Sequence, residues 1–439
     1  MYSHMDATIF HIGRTSDTVW TNRSTPCPST VTHPPLIRRH LHSLLDVAMD
    51  DTPAMLVNGP RQCGKTTLVR QYADRMAYFS LDDPTLLAAV RADPLGFVRR
   101  QDRLIVDEVQ RAPELLMALK LAIDQDRRPG CFLLTGSANL MALPTVADSL
   151  AGRVEIHTLL PLSNAEIAAR PADFVERLLR GDWPPATATP NKCEDSVDRV
   201  LAGGYPEMRL RATPARRQAW ARAYLATLVE RDVRDVADIA QTAKIPQLLA
   251  ILAHLSGQLL NLQQIGGQIG LDGKTVEKYI GILEKMFLVR RLPAWSGNRL
   301  NRLIKTPKLH FLDAGLQASL VQLTPERALL DRARFGATLE TWVYGELLKT
   351  LALGQEPWFL FHYRDKDQVE VDFVLESPLG EIVGIEVKAS ATVGAADFKG
   401  LRRLATLCPE RFRAGAVLYD GEHVLPFGDG LHAVPLSRL

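Results

Sequence analysis

Four short apolar runs mark the first third of the chain: Ala54-Met-Leu-Val-Asn-Gly, Ala77-Tyr-Phe-Ser-Leu-Asp, Arg103-Leu-Ile-Val-Asp-Glu and Cys131-Phe-Leu-Leu-Thr-Gly-Ser. They are continuous rather than alternating, as strands covered on both faces should be. Helical spacing between them predicts strand–helix alternation and hence a parallel α/β sheet. Leu36, Leu41, Leu44, Leu45 and Val47/Ala48 recur at helical spacing and predict a helix over 36–49 that leads into the first strand. Residues 1–34 are rich in Ser, Thr, Pro and Asn, with scattered apolar positions, and read as a disordered leader.

The pattern then changes. Residues 161–243 read as largely helical, broken by a polar, Pro-rich loop over Asp182–Val197. Residues 244–328 open with three helices and a β-ribbon, and residues 329–439 with a helix followed by strands. The expected domains are therefore a leader (1–34), an α/β core (35–160), a helical lid and linker (161–243), a middle module (244–328) and an α+β module (329–439).

Composition adds exclusions. Of 439 residues, 46% are apolar and 23% charged, which suits several buried cores, and the net charge of +2 does not by itself announce a nucleic-acid binder. Five dispersed cysteines without a C-x-x-C pair argue against a zinc site or disulfide framework and fit a reducing cytoplasm. Neither a signal-peptide pattern nor a run near the ~20 apolar residues that span a bilayer is present, so a soluble cytoplasmic protein without a membrane partner is expected.

The chemistry is densest after the first run. Gly59-Pro60-Arg61-Gln62-Cys63-Gly64-Lys65-Thr66-Thr67 is a G-x-x-x-x-G-K-[ST] phosphate loop between a strand and a helix. Its backbone N–H groups can wrap phosphate oxygens, Lys65 can reach the β- and γ-phosphates of ATP, and Thr66 can ligate Mg²⁺. The run Leu104–Val106 ends in Asp107, placed to hold Mg²⁺, and Glu108, placed to orient or deprotonate the attacking water. Ser137, with Asn139 as a weaker candidate, could sense the γ-phosphate or cap a helix. Arg153 could supply positive charge to the transition state or form a surface ion pair.

The order GPRQCGKTT, FSLDDP, LIVDEVQRAPEL, LLTGSANL and SLAGRVEIHTLLPLSNAEI resembles a prokaryotic group of AAA-type P-loop ATPases that end in a domain of unknown function. GGYPE (Gly203–Glu207) and YLATLVERDV (Tyr224–Val233) resemble that group's helical lid and linker. The resemblance covers nearly everything after about residue 36. It implies nucleotide binding at Gly59–Thr67 and Asp107/Glu108, and little about biological role.

Residues 244–312 carry ten Lys/Arg against three acids. Leu262–Gly270 reads as a short helix, Leu271–Gly273 as a turn, and Lys274–Met286 as a second helix whose buried face holds Val276, Tyr279, Ile280, Leu283 and Met286. Leu288–Trp295, a Ser296-Gly297-Asn298 turn and the chain from Arg299 onward read as a hairpin wing. The whole resembles a winged helix, in which the second helix enters the major groove and the wing touches phosphates. Lys274, Lys278, Arg290, Arg291 and Arg299 are the expected DNA contacts, although such modules also bind proteins. Pro307-Lys-Leu-His-Phe-Leu-Asp313-Ala-Gly315-Leu has no chemistry readable from sequence.

The last module contains Glu340 on a helix, Val369-Glu-Val-Asp372-Phe-Val and Ile382-Val-Gly-Ile-Glu386-Val-Lys388. A turn at Ser377–Gly380 makes the two runs a hairpin, and counting back from it sets Asp372 near Glu386. The order E…D…E-x-K resembles the restriction-endonuclease-like superfamily, which implies a cation-binding site for phosphodiester cleavage at Glu340, Asp372, Glu386 and Lys388. Val371 stands where that superfamily commonly has proline. The expected fold class is thus α/β: a P-loop parallel sheet with a helical lid, then a winged-helix domain and an α+β nuclease-like domain. Two readings stay open: an ATPase coupled to DNA binding and cleavage, or an ATP-dependent switch for a protein partner with an inactive nuclease-like domain. Whether the chain forms an oligomer is open as well.

Overall fold

The computed structural model of the chain describes residues 36–136, 152–183, 193–232, 242–354 and 356–439. The first helix, α1 (Leu41–Asp51), is shorter than its periodicity suggested. It leads into a parallel sheet of β1 (Ala54–Asn58), β2 (Ala77–Ser80), β3 (Leu104–Asp107), β4 (Phe132–Gly136) and β5 (Val154–Thr158), in the order β2-β3-β4-β1-β5. The apolar runs are continuous because both faces are covered. Leu56, Val106 and Leu134 pack under α3 (Pro84–Ala92), α4 (Pro94–Arg99) and α5 (Leu115–Gln125). Met55, Val57, Ile105 and Leu133 pack against α1 and against α2 (Lys65–Val69), the helix after the phosphate loop.

Next come α6 (Asn164–Ile167), α7 (Phe174–Arg180), α8 (Cys193–Ala202), α9 (Pro206–Arg209) and α10 (Pro214–Thr227). The polar loop after Asp182 ends earlier than its composition suggested, because α8 already begins at Cys193. This helical segment is shared between two cores. Phe174, Val175, Leu178, Val197, Val200 and Leu201 pack into the core of the C-terminal module. Tyr205, Met208, Tyr224 and Leu225 pack into the core of the middle module.

The middle module runs α11 (Ile245–His254), β6 (Gln258–Leu259), α12 (Leu262–Ile269), α13 (Gly273–Lys285), β7 (Val289–Leu292), α14 (Arg299–Ile304) and β8 (Lys308–Phe311), with an antiparallel sheet ordered β6-β8-β7. Asp272 caps α13 by accepting from Lys274 N (2.9 Å) and Thr275 N (3.0 Å). Val276, Tyr279, Ile280 and Leu283 form its buried stripe. The hairpin wing is corrected in one respect. The chain does not turn directly into the second strand at Arg299, because Asn298 accepts from Leu300 N (2.9 Å) and starts α14 there.

The chain closes with α15 (Ala314–Leu320), α16 (Pro325–Leu330), α17 (Arg332–Leu351), β9 (Phe359–Arg364), β10 (Glu370–Glu376), β11 (Ile382–Val387), α18 (Lys399–Leu407), β12 (Phe412–Tyr419), β13 (Leu425–Pro426) and β14 (Leu431–Pro435). The strands form one mixed sheet, β13-β14-β12-β11-β10-β9. Asp313, in the stretch that sequence left unexplained, is a clamp. One carboxylate oxygen caps α15 through Leu316 N (3.0 Å), and the other accepts from Gly204 N (2.7 Å). Gly203 sits at φ +61, where an added Cβ would lie 2.5 Å from the Asp313 carboxylate, so both the backbone and the space call for glycine. Among the described residues, no helix is long and apolar enough to cross a membrane.

Candidate functional sites

The phosphate loop starts where β1 ends. Gly59 takes φ +148, and a Cβ there would lie 2.1 Å from the Leu159 carbonyl oxygen, so only glycine passes. Gly64 (φ +103) begins α2, and Gln62 between them also has positive φ. The Lys65 side chain is buried and folded back onto the loop, donating to Gly59 O (3.1 Å) and Pro60 O (2.8 Å).

Asp107, at the end of β3, is the hub beside the loop. It accepts from Thr66 Oγ1 (2.8 Å) and Tyr78 Oη (2.8 Å) on one oxygen and from Thr135 Oγ1 on the other. Thr135 Oγ1 also accepts from Glu108 N (2.9 Å). Glu108 is held at φ 61, ψ 45, a left-handed conformation that costs a non-glycine residue about 1–3 kcal/mol and gathers at functional positions. Its carboxylate accepts from Gln110 Nε2. Tyr78 lies on the neighbouring β2 beneath the Arg70 guanidinium (4.6 Å from the ring centroid), and burial pushes its hydroxyl above its ordinary pKa, so it remains a donor.

Sequence reasoning missed Tyr78, Thr135, Arg39 and Tyr224 around this loop. The polar Thr135 within an otherwise apolar run was the available signal. Arg39 donates to Cys63 O (2.8 Å), Leu160 O (2.6 Å) and Glu166 Oε1 (3.0 Å), tying the loop to the chain that follows β5. Tyr224, on α10, donates its hydroxyl to Arg61 O (3.1 Å) and stacks on Trp220. One expectation changes. Arg153 precedes β5, and the parallel register Ala54↔Val154 to Asn58↔Thr158 puts it at the end of the sheet opposite the phosphate loop. A five-residue strand spans roughly 16 Å. There Arg153 pairs with Asp124 (2.7 and 3.0 Å), so it does not reach the phosphates bound by its own loop. Ser137 and Asn139 lie outside the described residues.

Of the expected DNA contacts, Lys274, Lys278, Arg290 and Arg299 are exposed. Arg291 is not available, because it binds Glu284 (2.7 and 3.1 Å) and Glu277. The chain around α14 is also docked onto the C-terminal module. Arg302 pairs with Glu376 on β10, and the backbones of Trp295 and His362 join at 2.6 Å.

In the C-terminal module, the ladder pairing Phe373↔Ile385 continues to set Asp372 opposite Glu386. A β-bulge between Val371 and Val374 turns β10 at this point, a distortion that often re-aims a side chain beside a site. Asp372 Oδ2 accepts from Val387 N (2.9 Å), and Lys388 Nζ pairs with Glu386 Oε1 (3.0 Å). Glu340, from α17, approaches the same cluster. The fifth member was not anticipated. Lys308 Nζ, from the start of β8, lies 3.0 Å from Glu340 Oε1 and 3.8 Å from Asp372 Oδ1, with its side chain 7% exposed.

Strand alternation explains how Lys308 arrives there. Leu309 and Phe311 enter the middle module's core. Lys308 and His310 point the other way, and His310 stacks on Tyr344 of α17 (4.5 Å). Burial, and next the Asp372 charge, push Glu340 and Glu386 up to about 8. Burial opposes the Lys308 charge, but Glu340 and Asp372 outweigh it and hold the ammonium above its ordinary value. Burial drives His310 well below its ordinary value, and among the described residues neither ring nitrogen has a hydrogen-bond partner.

Comparison with known proteins matches three regions of the chain. Residues 51–168 match the AAA domain family, 193–327 a domain of unknown function (DUF8612), and 335–439 another (DUF4143). The AAA match supports ATP binding and an NTP-hydrolase fold. The second matched region takes in α8–α10 together with the middle module, the same elements from α9 onward that share its core. Among solved structures, the chain is similar to the Walker-type ATPase PABY2304 of Pyrococcus abyssi, with 15% identity and a TM-score of 0.42 over 65% of this chain and 96% of that one. The uncharacterized protein Rv2008c of Mycobacterium tuberculosis and the uncharacterized protein Mb2031c of Mycobacterium bovis are each 30% identical over 405 residues, 92% of this chain and 84% of theirs. The chain therefore belongs to the family of these mycobacterial proteins, with its AAA domain at residues 51–168.

Proposed function

We propose that this chain is a Mg²⁺-dependent ATPase of AAA type whose nucleotide state is passed through α9–α10 to a middle module that binds DNA. The observation that carries the ATPase half is the Thr66–Asp107 hydrogen bond of 2.8 Å beside a buried Lys65. A hydroxyl and a carboxylate already in contact are a hard-oxygen donor set that fits Mg²⁺. Thr66 and Asp107 would hold the ion, which would supply positive charge against the phosphates during transfer.

The chain's own residues do the rest. Lys65 exchanges the carbonyls of Gly59 and Pro60 for the β- and γ-phosphate oxygens. The backbone N–H groups of residues 61–67 would line the phosphates. Asp107 is held by Tyr78 and Thr135 in the position needed to support the ion. Glu108 is fixed one residue further on by its own backbone bond to Thr135, where its carboxylate can orient a water. Tyr224 touches Arg61 O, which connects the loop to the helix whose neighbours fill the middle module's core.

The DNA half is supported by Lys274 and Lys278, which stand four apart on the exposed face of α13, and by the nearby exposed Arg290. Phosphate contacts of this kind dominate DNA affinity and make it salt-dependent. For cleavage, the donors Glu340, Asp372 and Glu386 are of the right chemistry. As they stand, however, an ammonium sits at two of them, and among the described residues no three side chains are gathered to hold a metal. We therefore derive no cleavage step from this arrangement.

A second reading, a switch for a protein partner, is favoured by one observation. Leu300, Leu303 and Ile304 on α14 are 73%, 82% and 83% exposed, which suits apolar docking better than phosphate contact. Phosphate release measured with and without single- and double-stranded DNA separates the two. Stimulation by DNA that disappears in Lys274→Glu/Lys278→Glu is expected. Turnover unchanged by every DNA form would leave the protein-partner reading.

A further inference from the structure

Residues 285–312 hold seven Lys/Arg and no Asp or Glu. Three of those cations are neutralised inside the fold: Arg291 by Glu277 and Glu284, Arg302 by Glu376, and Lys308 by Glu340. The other four, Lys285, Arg290, Arg299 and Lys305, are exposed and carry no ion pair among the described residues. Leu300, Leu303 and Ile304 stand on α14 between Arg299 and Lys305, and each is mostly exposed. From Gly297 to Thr306 every residue except Arg302 is exposed, so the tip protrudes with no wall on either side. Leu300, Leu303 and Ile304 follow i, i+3, i+4 spacing and share one helix face, with Arg302 opposite. Arg302 is the bolt that turns this face outward. Its guanidinium pairs with the buried Glu376, donates to Ser296 O (2.6 Å) and lies over the Phe361 ring (4.9 Å to the centroid). The strand register sets Phe359 opposite Glu376, and the turn after Glu376 carries Leu379; both are exposed. The apolar surface thus continues from α14 onto β9 and the β10–β11 turn, around one ion pair.

We infer that α14 is a peripheral membrane-docking tip: Leu300, Leu303 and Ile304 enter the acyl boundary of an anionic lipid surface while Arg299 and Lys305 meet its phosphates. The charge is complementary, because residues 285–312 present cations alone and an anionic leaflet attracts each Lys or Arg near its surface. A helix with aliphatics on one face and Lys/Arg beside them lies in the interface and needs no spanning segment. Single scattered aliphatics are ordinary on a protein surface, whereas three neighbours on one short helix beside Phe359 and Leu379 mark an interaction site. The shape favours lipid as the occupant. A bilayer accepts a protruding tip without a preformed groove. A DNA duplex offers phosphates to the cations but takes aliphatics only by unstacking base steps. Lys274 and Lys278 belong to α13, outside this tip, so the two surfaces can be tested apart.

The test is flotation of the full-length protein with phosphatidylglycerol–phosphatidylcholine vesicles, beside pure phosphatidylcholine vesicles, at low and high salt. Wild type should float with the anionic vesicles, and less so as salt screens the charges. Leu303→Asp/Ile304→Asp should bind them about tenfold more weakly or worse. Its thermal unfolding should match wild type, because both side chains are exposed. Arg299→Glu/Lys305→Glu should lose the preference for anionic vesicles, and Lys274→Glu/Lys278→Glu should float like wild type. A wild type that stays in the soluble fraction overturns the proposal and leaves the tip to an apolar groove on a partner protein. Binding that survives Leu303→Asp/Ile304→Asp is adsorption by charge alone and overturns it too. So does a loss in Lys274→Glu/Lys278→Glu as large as the loss at the tip.

Discussion

The two carboxylate centres of this protein are built in opposite ways. At the phosphate loop, Asp107 is surrounded by neutral hydroxyls from Thr66 on α2, Tyr78 on β2 and Thr135 on β4, all within the α/β core. At the C-terminal cluster, Asp372 and Glu340 meet an ammonium delivered from another module. Hydroxyls yield a place to an incoming cation at little electrostatic cost, because they carry no net charge. A buried ammonium must leave before a cation can arrive. The first centre is poised for a ligand and the second is self-satisfied.

The sharpest way to separate the two is to damage one alone. Lys65→Ala should lower ATP turnover about a hundredfold or more, the loss typical of a preorganised group that stabilises transition-state charge, while leaving the pH dependence of melting set by the C-terminal cluster unchanged. Phosphate-release assays and thermal melts across pH check the pair. Asp313→Ala strikes neither site but the clamp between α15 and the chain before α9, by removing the acceptor for Gly204 N and Leu316 N. Two buried donors left unpaired should cost about 2–4 kcal/mol, seen as a lower midpoint in chemical unfolding.

The centres should also differ in pH response. Glu340 and Glu386 are raised by burial and by Asp372 to about 8, far above an unfolded glutamate. The folded chain therefore binds more protons than the unfolded chain between roughly pH 4.5 and 8. The associated stability is fully present below the unfolded value and is lost as pH rises through the folded one. Melting temperature should fall over that window in wild type, and Asp372→Asn should flatten the fall. The smallest effect belongs to Tyr224→Phe. Losing one hydrogen bond to Arg61 O costs about 1 kcal/mol, visible as a several-fold rise in the KM for ATP and no change in the C-terminal cluster.

The contrast also sets what could be read from sequence. The phosphate loop was legible because its residues are contiguous and their spacing is dictated by phosphate geometry. The parallel sheet was legible because strands covered on both faces have continuous apolar runs. The opposition of Asp372 and Glu386 could be counted from a turn, since strand side chains have period two. Lys308 could not be found that way. The alternation in Lys308-Leu-His-Phe311 is plain, but its outward face looks solvent-bound until α17 and β10 are in place. Of the two readings of Arg153, the ion pair is the one seen, and sequence alone could not choose because it does not tell which end of a parallel strand the residue occupies. The wing misled at Asn298, where an N-cap starts a helix in a stretch whose composition suits a turn equally well. The helical segment after β5 reads as one lid, yet its two halves face different cores, and that depends on packing partners more than a hundred residues away.

The most direct test of the ATPase assignment is MgATP binding by calorimetry alongside phosphate release, for wild type and Glu108→Gln. The account predicts that both bind with similar affinity and that only wild type turns over at full rate, with the variant about a hundredfold slower. Equal turnover in the two proteins, or a wild type that binds MgATP and releases no phosphate, would contradict it.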